Sequence, residues 1–374
     1  MKNGTRPSGR RLAPARNGSA AASRNGRGHV LITGGSGFIG ANLAQRLLAD
    51  GERVLLYDNL SRAGVEQNFA WLREEFGDRV RLQQADTRDE SSLRDAVQSA
   101  TAVYHFAAQV AVTTSIEAPA QDFAVNAGGT LYLLEALRAH CNPPPLFFTS
   151  TNKVYGALSD VPLRVSGERY EPVDVRIRAR GIDENQRLDF YSPYGCSKGT
   201  ADQYILDYAR TFGLPAVVFR MSCVYGPRQL GTEDQGWVAH FLIRALERRG
   251  ITLFGDGRQV RDVLWVGDLV EAFLLARSRV SEISGNAFNI GGGVANTTSL
   301  LELVDLIAEL EGVRPSIDWA RWRLGDQRFY VSDTAKFRAA TGWAPRVGVA
   351  EGVGRLHEWL ATTRRGHALA PQIA

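Results

Sequence analysis

Two side chains four residues apart could carry out acid–base chemistry: Tyr194 and Lys198, within the run SPYGCSK that begins at Ser192. On a helix, residues at positions i and i+4 share one face, so the lysine ammonium would lie beside the tyrosine phenol. We expect that positive charge to lower the pKa of Tyr194 from its usual value of about 10. Tyr194 would then act as a base toward a sugar or alcohol hydroxyl. The same spacing is also common on solvated helix faces, so the function depends on the surrounding sequence.

A glycine-rich turn precedes this pair in the chain. Residues 29–33 (HVLIT) predict a buried strand, the segment 34–40 (GGSGFIG) follows, and residues 41–49 predict an amphipathic helix. Glycines at this spacing allow a tight turn, close approach to a pyrophosphate, and packing of helix on strand, while the helix N-terminus provides N–H donors for phosphate. The turn therefore predicts dinucleotide-contacting positions at Gly34, Gly35, Gly37, Phe38, Ile39 and Gly40.

An acidic residue ends the second predicted strand. Residues 53–57 (RVLLY) are followed by Asp58 and Asn59, and Asp58 comes 18 positions after Gly40. A carboxylate there hydrogen-bonds the ribose hydroxyls of NAD and repels the 2′-phosphate of NADP. The predicted cofactor is therefore NAD, bound in part by Asp58 and Asn59.

Strand and helix patterns alternate through the first two-thirds of the chain. Further strands are predicted at 79–84, 101–106, 146–150 and 216–221, with helices at 129–140 and 192–211 between them. This alternation predicts an α/β fold, a doubly wound parallel Rossmann sheet with a smaller mixed α/β C-terminal substrate lobe. The predicted divisions are a disordered basic tail (1–28), an NAD-binding domain with the catalytic residues (29–226), a mainly substrate-binding lobe (227–360) and a C-terminal tail (361–374).

Composition restricts the function further. The chain of 374 residues carries a formal charge of +4, yet its first 28 residues carry seven basic and no acidic side chains, which leaves −3 for the remainder. That glycine-rich segment predicts disorder, and no apolar segment follows Arg10 and Arg11 to make an export signal. We expect no membrane span and no nucleic-acid partner. The three cysteines show neither a disulfide framework nor metal-ligand spacing, so a cytoplasmic protein without a metal is predicted, and Cys196 is interpreted as a small helix residue.

Taken together, these motifs resemble the extended short-chain dehydrogenase/reductase family, in particular its nucleotide-sugar epimerases and dehydratases, over about residues 28–360. Beyond the glycine turn, the matching segments are ADTRD (85–89), HFAAQ (105–109), VNAGGT (125–130), STNKVYG (150–156), YGPR (225–228), QVRD (259–262) and RLGD (323–326). The resemblance implies catalytic roles for Thr151, Tyr194 and Lys198. It implies further cofactor contacts at Asp86, Thr87, Ala107, Ala108, Gln109 and Asn126, and substrate contacts at Thr113, Thr151, Asn152, Arg228, Gln259, Arg261, Arg323 and Asp326.

Two features select among the activities of that family. Dehydratases place an acid pair directly after the catalytic threonine, whereas this chain has Asn152 and Lys153, which disfavours water elimination. The long segment between Thr151 and Tyr194 resembles the subgroup of CDP-paratose 2-epimerases. The resemblance implies NAD-dependent C2 epimerisation of a CDP-linked dideoxyhexose through a keto-sugar, in a homodimer formed by the helices at 129–140 and 192–211. A UDP-sugar 4-epimerase and a non-catalytic NAD-binding regulator are the alternatives.

Overall fold

A computed structural model describes residues 28–369 of the chain, and their side chains as far as residue 363. The basic tail predicted to be disordered spans residues 1–28, and residues 1–27 of it lie outside the described residues. Within the described residues, no helix is both long and apolar enough to cross a membrane.

The structure alternates strands and helices along the chain. The strands are β1 (His29–Thr33), β2 (Val54–Asp58), β3 (Val80–Gln84), β4 (Ala100–His105), β5 (Leu146–Thr151), β6 (Leu163–Ser166), β7 (Arg169–Pro172), β8 (Ala216–Met221), β9 (Cys223–Tyr225), β10 (Ile251–Phe254), β11 (Val260–Trp265), β12 (Asn286–Ile290), β13 (Thr297–Ser299), β14 (Ile317–Ala320) and β15 (Phe329–Tyr330).

The α-helices are α1 (Phe38–Ala49), α2 (Glu66–Phe76), α3 (Glu90–Val97), α4 (Val112–Glu117), α5 (Pro119–Phe123), α6 (Gly129–Arg138), α7 (Val175–Arg180), α8 (Ser192–Phe212), α9 (Trp237–Leu246), α10 (Val266–Ser278), α11 (Val280–Ile283), α12 (Leu300–Glu311), α13 (Ala335–Thr341) and α14 (Val349–Leu369). Short 3-10 turns span Gly77–Arg79, Asn152–Tyr155 and Val294–Asn296, and a π-helical turn spans Ala124–Gly128.

The central sheet has seven parallel strands in the order β12-β8-β5-β4-β1-β2-β3. The chain reverses its direction of winding between β1 and β4, where ligands bind in doubly wound sheets. Both faces of the sheet are covered, which is why the strands are nearly continuous apolar runs. One face packs against α1 and α10, and the other against α3, α6 and α8. The predicted fold class is confirmed.

The sheet contains one strand that the sequence did not predict. Strand β12 pairs in parallel with β8, Phe288 beside Phe219, although it comes from the segment assigned to the substrate lobe. The division at residues 226 and 227 stays a prediction, but the chain returns to the Rossmann sheet after it.

The C-terminal lobe is built around a second apolar cluster that joins α9, α12 and α14. Its largest sheet joins β13, β11 and β15, with β9 beside β11, and β10 pairs with β14. Helix α14 continues to Leu369, so it enters the segment predicted as a C-terminal tail. No proline interrupts residues 349–369, and Gly366 alone does not end the helix.

Candidate active site

A cavity of about 770 Å³ lies between the sheet and the lobe. It extends from the carboxyl ends of β1, β2, β4 and β5 to the loops of the lobe. Of the site residues predicted from the sequence, all except Gly35 and Asn126 line this cavity. Residues that are far apart in the sequence therefore meet in one space.

The glycine turn fits a dinucleotide because the backbone itself forms the wall. Gly34 has φ of +66°, and a Cβ there would lie 2.7 Å from the backbone nitrogen of Ala107. A Cβ on Gly40 would lie 2.5 Å from the carbonyl oxygen of Gly34. Helix α1 begins after Gly37 without a side-chain cap and without an acid in its first turn. Its first N–H groups are thus available to a phosphate at the cavity wall.

Gly35 is not among the residues that line the cavity, and its predicted contact with the cofactor stays a prediction. A Cβ at this position would lie 2.7 Å from the Leu56 side chain and 2.8 Å from the carbonyl oxygen of Ile32. Gly35 therefore allows the turn to pack on β1 and β2, a structural role within the same motif.

Asp58 lies at the end of β2, as predicted, and links two backbone segments. Its carboxylate accepts hydrogen bonds from the backbone nitrogens of Ser36, at 3.0 Å, and Leu60, at 2.9 Å. Burial raises the pKa of Asp58, and the two hydrogen bonds oppose that shift. A carboxylate at this wall of the cavity fits the ribose hydroxyls of NAD.

The neighbouring residues at this end are already hydrogen-bonded to one another. Asn59 Nδ2 donates to Asp86 Oδ2 at 2.8 Å, and the Arg88 guanidinium donates to both Asp86 oxygens. These bonds, first among them that of Arg88, hold the pKa of Asp86 well below its usual range. Thr87 is buried, and a Cβ on Gly129 would lie 2.7 Å from its hydroxyl. Asp86 and Thr87 therefore form a packed wall of the cavity.

Asn126 lies behind the residues that line the cavity, and its predicted contact with the cofactor stays a prediction. Its side chain accepts from the Gln109 backbone nitrogen at 2.9 Å and donates to the Gln109 carbonyl oxygen at 3.0 Å. It also donates to Ser197 on α8 at 3.0 Å. Asn126 therefore fixes the cavity-lining segment Ala107, Ala108 and Gln109 against the helix that carries Tyr194.

The catalytic residues predicted from the sequence converge at the centre of the cavity. Thr151 is the last residue of β5, and Tyr194 and Lys198 lie in the first turns of α8. The backbone nitrogen of Tyr194 donates to Ser115 Oγ at 3.2 Å, which links α8 to α4. The Thr151 hydroxyl lies close enough to the Tyr194 phenol to oppose the rise in the pKa of that phenol. One oxygen of a bound sugar could therefore contact both hydroxyl groups.

The prediction that Lys198 lowers the pKa of Tyr194 is wrong for the folded chain alone. Burial raises the pKa of Tyr194 to about 12, although the hydrogen bond from Thr151 opposes the shift. Burial also lowers the pKa of Lys198 to about 7, opposed by the carboxylates of Asp202 and Asp122. The Lys198 ammonium lies 4.1 Å from the centre of the Phe148 ring. Desolvation disfavours the charged form of each group, and the sequence pattern did not reveal how far Tyr194 and Lys198 are withdrawn from water.

At the opposite end of the cavity, two predicted substrate residues present guanidinium groups on aromatic rings. Arg228 lies 3.4 Å from the centre of the Trp71 ring, and Arg323 lies 3.6 Å from that of Phe254. Arg323 also forms ion pairs with Glu233, at 3.2 Å, and Asp234, at 3.1 Å. The two arginines are suited to a diphosphate, and Arg323 is held by carboxylates in this structure.

Arg261 and Asp326 form an internal pair. Arg261 is buried and donates to Asp326 Oδ1 at 2.8 Å and to the carbonyl oxygen of Val260 at the same distance. The guanidinium thus holds the loop after β14 against β11. Its predicted contact with substrate stays a prediction, and its observed contacts support the loop that carries Asp326.

Two other predicted substrate residues carry side-chain oxygens that need a partner. Thr113 Oγ1 and Gln259 Oε1 are buried, and neither has a hydrogen-bond partner within the described residues. Both residues line the cavity. Because buried polar atoms are normally hydrogen-bonded, these oxygens mark surfaces where a polar ligand fits. Asn152 instead donates to Gln327 Oε1 at 3.3 Å.

Sequence reasoning assigned no site role to three cations that line the cavity, Arg62, Arg88 and Lys153. Lys153 follows Asn152 directly, and the sequence indicated only that its positive charge disfavours a dehydratase. Arg62 follows β2 and donates to Gln235 Oε1 at 2.7 Å, which no local motif indicates. Cys196 is exposed and does not line the cavity, consistent with a small helix residue.

The profile of the NAD dependent epimerase/dehydratase family matches residues 30–291. A CDP-paratose 2-epimerase from Salmonella typhi is 44% identical over 340 residues, which cover 89% of this chain and 99% of that protein.

Two solved structures are similar along nearly the whole chain. The UDP-glucose 4-epimerase of Thermotoga maritima, solved with UDP-glucose, has a TM-score of 0.77 and 31% identity, covering 90% of this chain and 99% of that one. The UDP-glucose 4-epimerase of Thermus thermophilus, solved with NAD, has a TM-score of 0.74 and 33% identity, covering 89% and 99%. Both similarities include the sheet and the lobe that enclose the cavity.

Proposed function

Because the chain belongs to the NAD dependent epimerase/dehydratase family, we propose that it is a nucleotide-sugar epimerase that inverts C2 of a CDP-linked dideoxyhexose. The observation that carries the choice of C2 and of CDP is the 44% identity with a CDP-paratose 2-epimerase across 99% of that protein. The catalytic residues of the cavity support the same class of reaction. NAD is the cofactor of the family, and Gly34, Gly37, Gly40 and Asp58 are the residues that would hold it.

The residues of the chain supply binding and proton transfer. Bound NAD supplies the chemistry of a hydride acceptor and donor. Tyr194 takes the proton from the reacting sugar hydroxyl and returns it after the ketone has presented its other face. Thr151 hydrogen-bonds the same sugar oxygen and, as a partner of the phenol, favours its ionised form. Lys198 holds the nicotinamide ribose. Lys198 is buried and Tyr194 is partly buried at the cavity wall, so proton transfer takes place largely away from bulk water.

The chemistry of a 3-deoxy sugar requires oxidation at C2 itself. A ketone at C4 would acidify C3 and C5 and leave C2 unchanged. A ketone at C3 would acidify C2, but a 3-deoxy sugar has no oxygen at C3. Transient oxidation at C2 is therefore the route that inverts this centre.

The residues after Thr151 support an epimerase rather than a dehydratase. Asn152 is an amide that donates to Gln327, and Lys153 is a cation, so neither supplies the carboxyl group that water elimination needs. The alternative of a non-catalytic regulator is disfavoured because Thr151, Tyr194 and Lys198 all line the cavity.

A substrate screen tests this proposal. The purified protein is mixed with CDP-paratose, and in parallel with UDP-glucose, and the products are followed by NMR. We expect CDP-tyvelose to form from CDP-paratose and no epimer from UDP-glucose. Formation of UDP-galactose alone would make the protein a UDP-sugar 4-epimerase, and no turnover of either sugar would favour a regulator.

We also propose that the protein is a homodimer formed by α6 and α8. Leu134 and Leu137 on α6 are fully buried against the sheet and cannot form an interface. The exposed aromatic rings on these helices include Tyr132 on α6 and Tyr204 on α8. Light scattering at micromolar concentration is expected to give a dimer, and Tyr204→Glu a monomer. The control is Trp319→Glu, an exposed aromatic residue on the lobe. A monomeric wild type would contradict the proposal.

The compartment is proposed to be the cytoplasm. Cys141, Cys196 and Cys223 are free thiols, as expected in a reducing compartment. Fractionation of the native host, with detection by antibody, should recover the protein with cytoplasmic markers, and recovery with an exported fraction would contradict this.

A further inference from the structure

Lys153 is a cation in the cavity that the mechanism above does not use. It lies in the 3-10 turn Asn152–Tyr155, which directly follows the catalytic Thr151. Its side chain lines the cavity and is 21% exposed there. A charged group that is largely withdrawn from water is costly unless it has partners, so the partners of this ammonium decide its role.

The described residues satisfy only part of the hydrogen-bonding capacity of Lys153. Its Nζ donates to the carbonyl oxygen of Gly325 at 3.0 Å, and Asp326 Oδ1 lies farther away, at 4.0 Å. That carboxylate oxygen already accepts from Arg261. An ammonium has three N–H donors, so Lys153 retains donors for a ligand in the cavity.

The location of Lys153 favours the sugar as that ligand. Its backbone nitrogen donates to Thr151 Oγ1 at 3.2 Å, so the turn that carries Lys153 is fixed to the hydroxyl that contacts the reacting oxygen. A sugar bound to Thr151 and Tyr194 therefore lies beside the start of this turn. Arg228 and Arg323, whose guanidinium groups lie on aromatic rings, are the residues that the family resemblance assigns to the nucleotide instead.

We propose that the ammonium of Lys153 donates a hydrogen bond to the sugar hydroxyl that does not react, and that it thereby determines specificity for the sugar. This inference rests on the proposed epimerase function. A 3,6-dideoxyhexose in pyranose form carries hydroxyls at C2 and C4. Because the C2 oxygen contacts Thr151 and Tyr194, the C4 oxygen is the acceptor that remains. A sugar that lacks it would leave a buried donor unpaired, which a site rejects strongly.

The charge state of Lys153 gives this contact a defined pH dependence. Burial, followed by the nearby Arg261, lowers the pKa of Lys153 to about 8, and Asp326 and Cys223 oppose that shift. The ammonium is therefore present at neutral pH and is lost as the pH rises through about 8. An arginine at this position would stay charged, because its guanidinium does not deprotonate in that range.

Titration calorimetry of the NAD-containing protein with two ligands, CDP and CDP-paratose, tests the assignment. In Lys153→Met, the affinity for CDP-paratose is expected to fall by about 10- to 100-fold, the range for a lost hydrogen bond to a charged group. The affinity for CDP is expected to change by less than about twofold. Lys153→Arg should recover most of the affinity for the sugar nucleotide. The control is Lys336→Met, since Lys336 is exposed and donates to the Ala287 carbonyl oxygen at 2.9 Å outside the cavity.

The pH dependence of KM is the second readout. For the wild type, KM for CDP-paratose should rise above pH 8, and for Lys153→Arg it should not rise. If Lys153→Met lowers the affinities for CDP and CDP-paratose equally, Lys153 merely anchors the loop at Gly325. If neither affinity changes, Lys153 does not contact the ligand. Either result overturns the assignment. A wild type that binds CDP but neither binds nor converts CDP-paratose would refute the proposed function instead.

Discussion

The two ends of the cavity are constructed in different ways. At the cofactor end, the backbone of Gly34, Gly37 and Gly40 forms the wall, and the residues that shape it lie close together in the sequence. At the nucleotide-sugar end, side chains from distant loops hold one another, as in the pairs between Arg323 and Glu233 or Asp234. Steric packing fixes the first end, whereas the second depends on charges that substrate phosphates would compete for. The cofactor end should therefore be intolerant of small changes, and the substrate end should tolerate them.

The largest effect on kcat is expected at Tyr194, where the two ends of the cavity meet. Tyr194→Phe removes the proton acceptor while the ring stays in place, so kcat should fall by about 10²- to 10⁴-fold. Steady-state kinetics with CDP-paratose measure this change. Tyr204→Phe is the control, because Tyr204 lies on the same helix and is exposed outside the cavity. A Tyr194→Phe enzyme within a few-fold of the wild type would mean that a different base operates.

Asp58 tests the chemical selectivity of the cofactor end. In Asp58→Asn the charged acceptor for the ribose hydroxyls is lost, so NAD affinity should fall by about 10- to 100-fold, while the repulsion of NADP disappears. Fluorescence titration of the cofactor-free protein with both dinucleotides measures the ratio of the affinity for NAD to the affinity for NADP. Should the wild type retain NADP after purification, or should the ratio stay unchanged in Asp58→Asn, the assignment of Asp58 would be wrong.

Gly40 tests whether steric packing fixes the cofactor end. In Gly40→Ala the new Cβ would meet the Gly34 carbonyl oxygen at 2.5 Å, so the turn must shift, and we expect a loss of about 1–3 kcal/mol in the free energy of unfolding. The amount of NAD that stays bound to the Gly40→Ala protein should also fall. Gly354→Ala is the matched control, since Gly354 is also helical and its Cβ would meet nothing within 4 Å. Chemical denaturation measures both variants, and equal stabilities would contradict the steric account.

The smallest effects are expected from the ion pairs of the substrate end. Asp234→Asn removes one carboxylate from Arg323, and a partly exposed pair contributes only about 0–1 kcal/mol. The KM for CDP-paratose should therefore change by less than about fivefold, and downward, because Arg323 becomes more available to the diphosphate. Arg323→Gln should raise KM instead. Should Asp234→Asn raise KM as much as Arg323→Gln does, the carboxylate would itself be part of the substrate site.

The same contrast explains what the sequence could predict. The glycine turn, Asp58 and the Tyr194–Lys198 pair were predicted because neighbours in the sequence determine their geometry. The contact from Lys153 to Gly325 joins residues 172 positions apart, so no local pattern indicates it. Strand β12 was missed because its five residues include two asparagines and lack an apolar run. The pKa of Tyr194 could not be predicted, since burial in the assembled cavity, rather than the spacing to Lys198, determines its direction.

The most direct test of the proposed reaction follows the hydrogen at C2. CDP-paratose that carries deuterium at C2 is converted by the protein in ordinary water, and the unlabelled sugar is converted in deuterated water, with NMR of both products. If C2 is oxidised and reduced by hydride transfer with Tyr194 as the proton acceptor, the first product retains deuterium at C2 and the second gains none. Loss of the label, or deuterium from solvent at C2, would contradict the account.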